Sequence, residues 1–310
     1  MVFSNVGLVI TDCCNAHCEM CCSGREDFKK ERKTLNRDEL DLILSQVKDC
    51  DEITAIGVTG GEPMLFPGLV QHICDFDFGR EVKISVKTNG FWGADRRRAK
   101  EFISKNSGVL THISFSYDES HRRYVSLESI KNIIDIATAH SVTTDIVGCF
   151  FADSVQPGDI LNELGDYAYK TRFEYQPVFR TGLAADFDES RFVHLYEVGK
   201  DNLVCTAPLK QSILVTSDLD LYPCCSQIAQ NTILRLGNLR EKHLASLLSE
   251  MKHNRLLVKL FTEGLDELLE AVDVHKECPR NLSVPCEACE YLFRDGRFLG
   301  RIHELLERED

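Results

Sequence analysis

The chain has 310 residues, 43% of them hydrophobic and 27% charged, the composition of an ordinary folded protein and not of a disordered one. Its net charge of −13, with no basic run longer than the three arginines at 96–98, argues against a nucleic-acid or membrane-surface role. The first residues, MVFSN, show no secretory pattern, and no apolar stretch approaches the ~18 residues of a membrane span. A cytoplasmic protein is therefore expected, in which fourteen cysteines point to metal or catalysis rather than to disulfides.

Through roughly the first 185 residues, short β-branched runs alternate with helix-like segments, the pattern of βα units around a parallel sheet. Strands are expected at 6–10, 53–58, 82–86, 112–117, 145–150 and 172–176. Helices are expected at 37–47, 70–76, 94–105, 127–140 and 159–167, the first opened by Asn36 with Glu39 completing a capping box. Six such repeats predict an α/β fold built as an open, partial (β/α)6 barrel over residues 1–190, with a smaller C-terminal unit over 191–310. In parallel α/β sheets the ligand site lies at the carboxyl ends of the strands.

Directly after the first expected strand comes TDCCNAHCEMCCSG, with five cysteines in the ten residues 13–22. One subset, Cys14, Cys18 and Cys21, has the spacing C-x3-C-x2-C. Three thiolates on one loop suit three irons of a cubane cluster and leave the fourth iron open. A structural zinc site prefers two C-x-x-C pairs, which this spacing does not provide. Cys13 and Cys22 are left as small packed thiols.

The later strands carry further signals at their carboxyl ends: TGGEP at 59–63 after the second, TNG at 88–90 after the third, and SFSYDES at 114–120 on the fourth. Taken singly these read as turns or caps. Together with the cysteine spacing they resemble the radical S-adenosylmethionine (SAM) superfamily. That resemblance implies that Gly60, Gly61 and Glu62 border the methionine amino group of SAM. It also places Asn89, Ser116 and Asp118 at the carboxylate or ribose. Two glycines expose backbone to a closely approaching ligand, and a glutamate accepts from an ammonium. The implied chemistry is reductive cleavage of SAM to a 5′-deoxyadenosyl radical that takes a hydrogen atom from the substrate.

Beyond about residue 190 the cysteines recur as Cys205, then Cys224 and Cys225 in LYPCCSQ, then Cys278, Cys286 and Cys289. This region resembles the twitch or SPASM extension, which implies a second 4Fe-4S cluster held by Cys205, Cys224, Cys286 and Cys289. Cys278 stays open as an alternative ligand or a structural thiol. The glycine usual in the hairpin turn of that extension is absent from SDLDLYP.

Phrases along nearly the whole chain, among them NGFWG, SYDESH, SIKNII and YPCCS, resemble the radical peptide epimerases of the epipeptide type. The implied activity is conversion of L- to D-residues in a ribosomally made precursor peptide. Cys225 would return hydrogen to the opposite face of Cα, and an external flavodoxin or ferredoxin would supply electrons. Adjacent residues of an extended segment point to opposite sides, so Cys224 and Cys225 can serve different partners. Two alternatives stand beside this reading: a maturase forming thioether or carbon-carbon cross-links, and a non-enzymatic iron-sulfur carrier or scaffold. Cys50, Cys74 and Cys149 read as core, Trp92 as packing, LLVKLF at 256–261 as core of the second unit, and His121 as either channel-facing or a cap.

Overall fold

The computed structural model describes residues 3–22, 32–224, 226–272 and 279–308. Six parallel strands alternate with helices in the first two thirds of the chain: β1 Asn5–Val9, β2 Ala55–Thr59, β3 Lys83–Thr88, β4 Leu110–Ser116, β5 Thr143–Phe150 and β6 Arg172–Pro177. Each strand pairs with the next in register, for example Val6 with Ile56, Ile56 with Ile84 and Phe115 with Ile146. The connecting helices are α1 Arg37–Lys48, α2 Pro67–Asp75, α3 Arg96–Asn106, α4 Leu127–Ala139 and α5 Pro157–Leu164. All eleven elements fall where the sequence periodicity puts them, to within about three residues, the usual uncertainty of element ends.

Local chemistry explains the boundaries. Asn36 and Glu39 exchange hydrogen bonds of 2.9 and 3.0 Å in the expected capping box at the start of α1. Asp95 and Ser126 cap α3 and α4 through the backbone N–H groups of Arg98 and Ser129. The helix expected over 159–167 ends at Leu164 because Gly165 leaves the helical region, and the chain continues as a 3-10 turn, Gly165–Tyr169. The arginines at 96–98 lie exposed on the first turn of α3.

Alternate strand residues build the core. Val6, Leu8, Ile56, Val58, Ile84, Val86, Ile113, Phe115 and Ile146 are all essentially inaccessible and pack against Ile43, Leu44, Ile73, Ile103, Ile130 and Ile134 of the helices. A side chain of this size contributes ~1.5–3 kcal/mol on burial, so this layer fixes the sheet against its helices. It also aims the strand ends at one rim.

After β6 the chain forms β7 Tyr196–Glu197, α6 Ala207–Lys210, β8 Ser212–Val215, β9 Asp220–Tyr222, β10 Gly237–Asn238, α7 Leu244–His253, α8 Arg255–Thr262, α9 Asp266–Ala271, β11 Asn281–Leu282, α10 Pro285–Phe293 and α11 Leu299–Arg308. β8 pairs parallel to β1, and β9 and β10 add antiparallel, giving one nine-stranded sheet in the order β10-β9-β8-β1-β2-β3-β4-β5-β6. The turn between β8 and β9 closes through Leu219 N–H to Thr216 O at 2.9 Å, with Leu219 itself at φ +68° and fully buried. A leucine thus holds the left-handed position for which the sequence offers no glycine. In α8, Leu257 and Leu260 are buried as expected, and Phe261 meets Phe3 with ring centroids 6.1 Å apart. Among the described residues no helix is long and apolar enough to cross a membrane.

Candidate functional site

The cysteine loop leaves β1 through Thr11, which bridges to Thr34, and runs along the rim formed by the ends of β2 to β5. Its backbone is clamped to the loop after β2: Gly61 N–H donates to Thr11 O at 2.7 Å and Glu62 N–H to Cys13 O at 2.8 Å. A Cβ on Gly60 would lie 2.4 Å from Thr11 O, and one on Gly61 2.2 Å from Cys13 O. The glycine pair was expected to open backbone to a ligand. Its Cβ side is filled by the cysteine loop, so the close packing of two loops by itself requires glycine at both positions.

Within the loop, Cys18 and Cys21 lie close enough to Cys14 to act on it electrostatically. Burial is the main cause of the raised Cys14 pKa, the Ala16 N–H at 3.4 Å from its sulfur opposes it, and Glu62, Cys18 and Cys21 add to it. Cys13 and Cys22 are engaged elsewhere. The Cys13 sulfur accepts from the Thr34 hydroxyl at 3.9 Å, and Cys22 is among the charges acting on Cys149. Three thiols on one loop, ionised together, are a donor set whose negative charge a cationic cluster offsets. Among the described residues no three His, Cys, Asp or Glu side chains converge as they would on a single metal ion, and a cubane, which offers a separate iron to each thiolate, does not require that convergence.

Glu62 is 1% exposed. Its Oε1 accepts from Met64 N–H at 2.9 Å and the Thr88 hydroxyl at 2.8 Å, and its Oε2 from Asn89 N–H at 2.7 Å. Burial pushes its pKa up to about 7, against the pull of those three donors and of His121. Among the described residues Asn89 N–H is the one donor on Oε2, which leaves an acceptor position there. Asn89 turns its Nδ2 to Asn15 Oδ1 at 2.8 Å, tying the end of β3 to the middle of the cysteine loop. Asn15 was not singled out from the sequence, and its only signal was its place between Cys14 and Cys18, two cysteines expected to hold a cluster.

Ser116 ends β4 half-buried opposite Val147. Asp118, 2% exposed, accepts four hydrogen bonds: Ser120 N–H, His121 N–H and His121 Nδ1 on Oδ1, and Cys149 N–H on Oδ2, at 2.9–3.1 Å. Burial pulls the His121 pKa down, but the Asp118 charge and hydrogen bond, with a smaller contribution from Cys18, push it up to about 10. Cys149, expected in the core, sits half-buried at the end of β5 beside Asp118. Cys50 and Cys74 are core residues as expected, and Trp92 packs edge-on against Phe102 at 5.8 Å. Two further ties were not legible in the sequence. Arg191 reaches Glu19 of the cysteine loop and Asp153 beyond β5, each at 3.3 Å. Leu183 N–H donates to Cys21 O at 3.1 Å, beside Gly182, whose Cβ would meet that same oxygen at 2.3 Å.

In the C-terminal region, Pro285 opens α10, which puts Cys286 and Cys289 on one face, three residues apart. Burial raises the Cys289 pKa well above the ordinary thiol range, and Cys286 and Cys205 reinforce the shift, so these three thiols share one neighbourhood. Cys224, just past β9, packs against Val9, Leu214, Tyr222 and Ala229 and accepts Ser226 N–H on its sulfur at 3.3 Å. Cys225 and Cys278 lie outside the described residues.

The family model for the radical SAM superfamily matches residues 8–152. YydG of Bacillus subtilis (strain 168), a protein named for peptide biosynthesis, is 23% identical over 99% of this chain and 98% of its own. A GTP 3',8-cyclase of Clostridium perfringens (strain 13 / Type A) is 31% identical over 45% of this chain and 41% of its own. Among solved structures, native anSMEcpe with bound AdoMet and Cp18Cys peptide superposes with a TM-score of 0.58 at 15% identity, covering 99% of this chain and all of that one. The cysteine loop on β1, clamped by the Gly-Gly-Glu loop and faced by the ends of β3 and β4, therefore belongs to a radical SAM domain, and the chain carries that domain over residues 8–152.

Proposed function

We propose that this protein is a radical SAM enzyme that epimerises L- to D-residues in a ribosomally made precursor peptide. The observation that carries the peptide reading is the full-length match to a relative named for peptide biosynthesis, since the match to the GTP cyclase spans less than half of the chain. When bound, a 4Fe-4S cluster with SAM supplies a 5′-deoxyadenosyl radical able to take the Cα hydrogen of a peptide residue.

In this reading the protein's own residues do the holding. Cys14, Cys18 and Cys21 present three thiolates from one loop, which Gly61, Glu62 and Asn89 fix against the strand ends. Glu62 offers its remaining Oε2 acceptor to the SAM ammonium, and Ser116 and Asp118 border the rest of the cofactor. Cys205, Cys224, Cys286 and Cys289 hold a second cluster, and residues 191–310 form the domain that carries it. Cys225, next to Cys224, gives its thiol hydrogen to the face of Cα opposite the one attacked. The S–H bond breaks, the Cα–H bond forms, and the sulfur radical is reduced again with electrons and a proton from outside. An external donor of the flavodoxin or ferredoxin type supplies those electrons.

The test is product analysis with Cys225→Ser. The unchanged enzyme should leave the peptide mass unaltered in H2O and place one deuterium at the inverted carbon in D2O. Cys225→Ser should retain iron and 5′-deoxyadenosine formation while making no D-residue. Loss of two hydrogens from the peptide would replace epimerisation by cross-linking, and inversion by the serine protein would remove Cys225 from the reading.

A further inference from the structure

Residues 180–183, just beyond β6, touch both the cysteine loop and the helix that carries Cys286 and Cys289. At one end, Leu183 N–H donates to Cys21 O at 3.1 Å. Gly182, held at φ +57°, lies so close to the Cys21 and Cys22 backbone that a Cβ would come within 2.3 Å of Cys21 O. At the other end, Arg180 N–H donates to Glu287 Oε1 at 2.5 Å and the Thr181 hydroxyl to Glu290 Oε2 at 2.7 Å. The segment is braced internally, since Ala184 N–H closes on Thr181 O at 3.1 Å in the 3-10 turn Gly182–Ala184.

Glu287 and Glu290 each directly follow a cysteine of α10, Cys286 and Cys289. Successive residues of a helix are turned by about 100°, so fixing these two carboxylates fixes the rotation of α10 and with it the direction of both thiols. Ser283 N–H on Glu287 Oε2, at 2.7 Å, and Arg294 on Glu290 Oε1, at 3.1 Å, keep the carboxylates from swinging. Thr181 and Glu290 are each 2% exposed, so water does not readily replace the hydrogen bond between them. We infer that residues 180–183 are a strut through which the cysteine loop and α10 hold one another in place, with Thr181 and Glu290 as its positioning residues, so that iron bound at either set of thiols steadies the other. This rests on the proposed reading in which Cys21 holds the first cluster and Cys286 and Cys289 the second. The coupling runs equally in both directions, because a stabilisation passed between two sites is shared by both. A double-mutant cycle measures it directly.

The experiment begins with iron-free protein and follows amide hydrogen exchange in wild-type, Thr181→Val and Thr181→Ser. Valine keeps the shape of threonine and removes the donor. Exchange in the Val protein should become at least about tenfold faster in both 13–22 and 285–293, the effect of losing one hydrogen bond to a buried carboxylate, and stay unchanged in α4. The Ser protein, which keeps the hydroxyl, should exchange as wild type does. Unaltered exchange at 13–22 in a folded Val protein would overturn the inference. If the Val protein does not fold, Gly182→Ala decides from the other end: its methyl displaces Cys21 O, so faster exchange in α10 supports the strut and unaltered exchange there refutes it. Reconstituted proteins are then challenged with an iron chelator while the EPR signal that changes on SAM addition is followed. Replacing Cys286 and Cys289 together by alanine should hasten the loss of that signal in the wild-type background but not in the Val background, and equal acceleration in both would refute the coupling. If the double alanine protein kept all its iron, the second-cluster reading would fail, while the exchange result would decide the strut by itself.

Discussion

Glu62 gives the most quantitative test of the site, because its environment makes stability depend on pH in a window of its own. Burial pushes its pKa from 4.5 to about 7 in the folded chain. Below about pH 4.5 the carboxyl is protonated in both folded and unfolded states and imposes no penalty. Between about 4.5 and 7 the unfolded chain releases its proton while the folded chain retains it, so stability falls as pH rises. The total fall from this group is about 3 kcal/mol, complete by about pH 8. Glu62→Gln cannot ionise. Its amide must turn an NH2 toward one of the three donors now met by the carboxylate, which costs a fixed ~1–3 kcal/mol at every pH. The assay is urea unfolding of iron-free wild-type and Gln proteins at half-unit steps from pH 4.5 to 8.5. The wild-type-minus-Gln difference should decline by about 3 kcal/mol across the window and then level. A flat difference, or one that levels near pH 5, would refute the picture of a carboxylate desolvated in the cofactor-free protein.

Gly61→Ala should cost iron rather than fold, because the added methyl meets the Cys13 backbone at 2.2 Å and the cysteine loop must shift; iron per chain after reconstitution measures this. Replacing Cys14, Cys18 and Cys21 together by alanine should remove about four irons per chain and all 5′-deoxyadenosine formation, with unaltered circular dichroism. Leu219→Gly should relieve ~1–2 kcal/mol of left-handed strain but lose a fully buried side chain worth ~2–5 kcal/mol, leaving a net destabilisation of about 1–3 kcal/mol in urea melts.

The barrel was legible because each of its elements advertises itself locally. Period-two alternation in VGLVI, AIGVT and KISVKT and the Asn36–Glu39 box are short-range signals, and they survive folding unchanged. The cysteine loop was legible for the same reason, since its spacing is contained in eight residues, 14–21. What escaped are contacts made through space between rims. Nothing in the local sequence joins Asn15 to Asn89 or Arg191 to Glu19. The Gly60–Gly61 pair was noticed but its partner was not, because a missing Cβ leaves room equally for a ligand or for another loop. The parallel attachment of β8 to β1 was also invisible: a four-residue apolar run does not name its neighbour.

That attachment has a consequence for how the chain is made. β1 is synthesised before every other strand of its sheet, yet one of its edges is filled by Ser212–Val215, so pairs such as Val6 with Ile213 close a loop of roughly 200 residues. Until β8 emerges, the strand that carries the cysteine loop presents a bare row of backbone donors and acceptors to any other strand nearby. The growing chain must therefore either keep β1 shielded or tolerate its exposure while some 200 further residues are added. The earliest strand of the sheet is among the last of them to gain both of its neighbours.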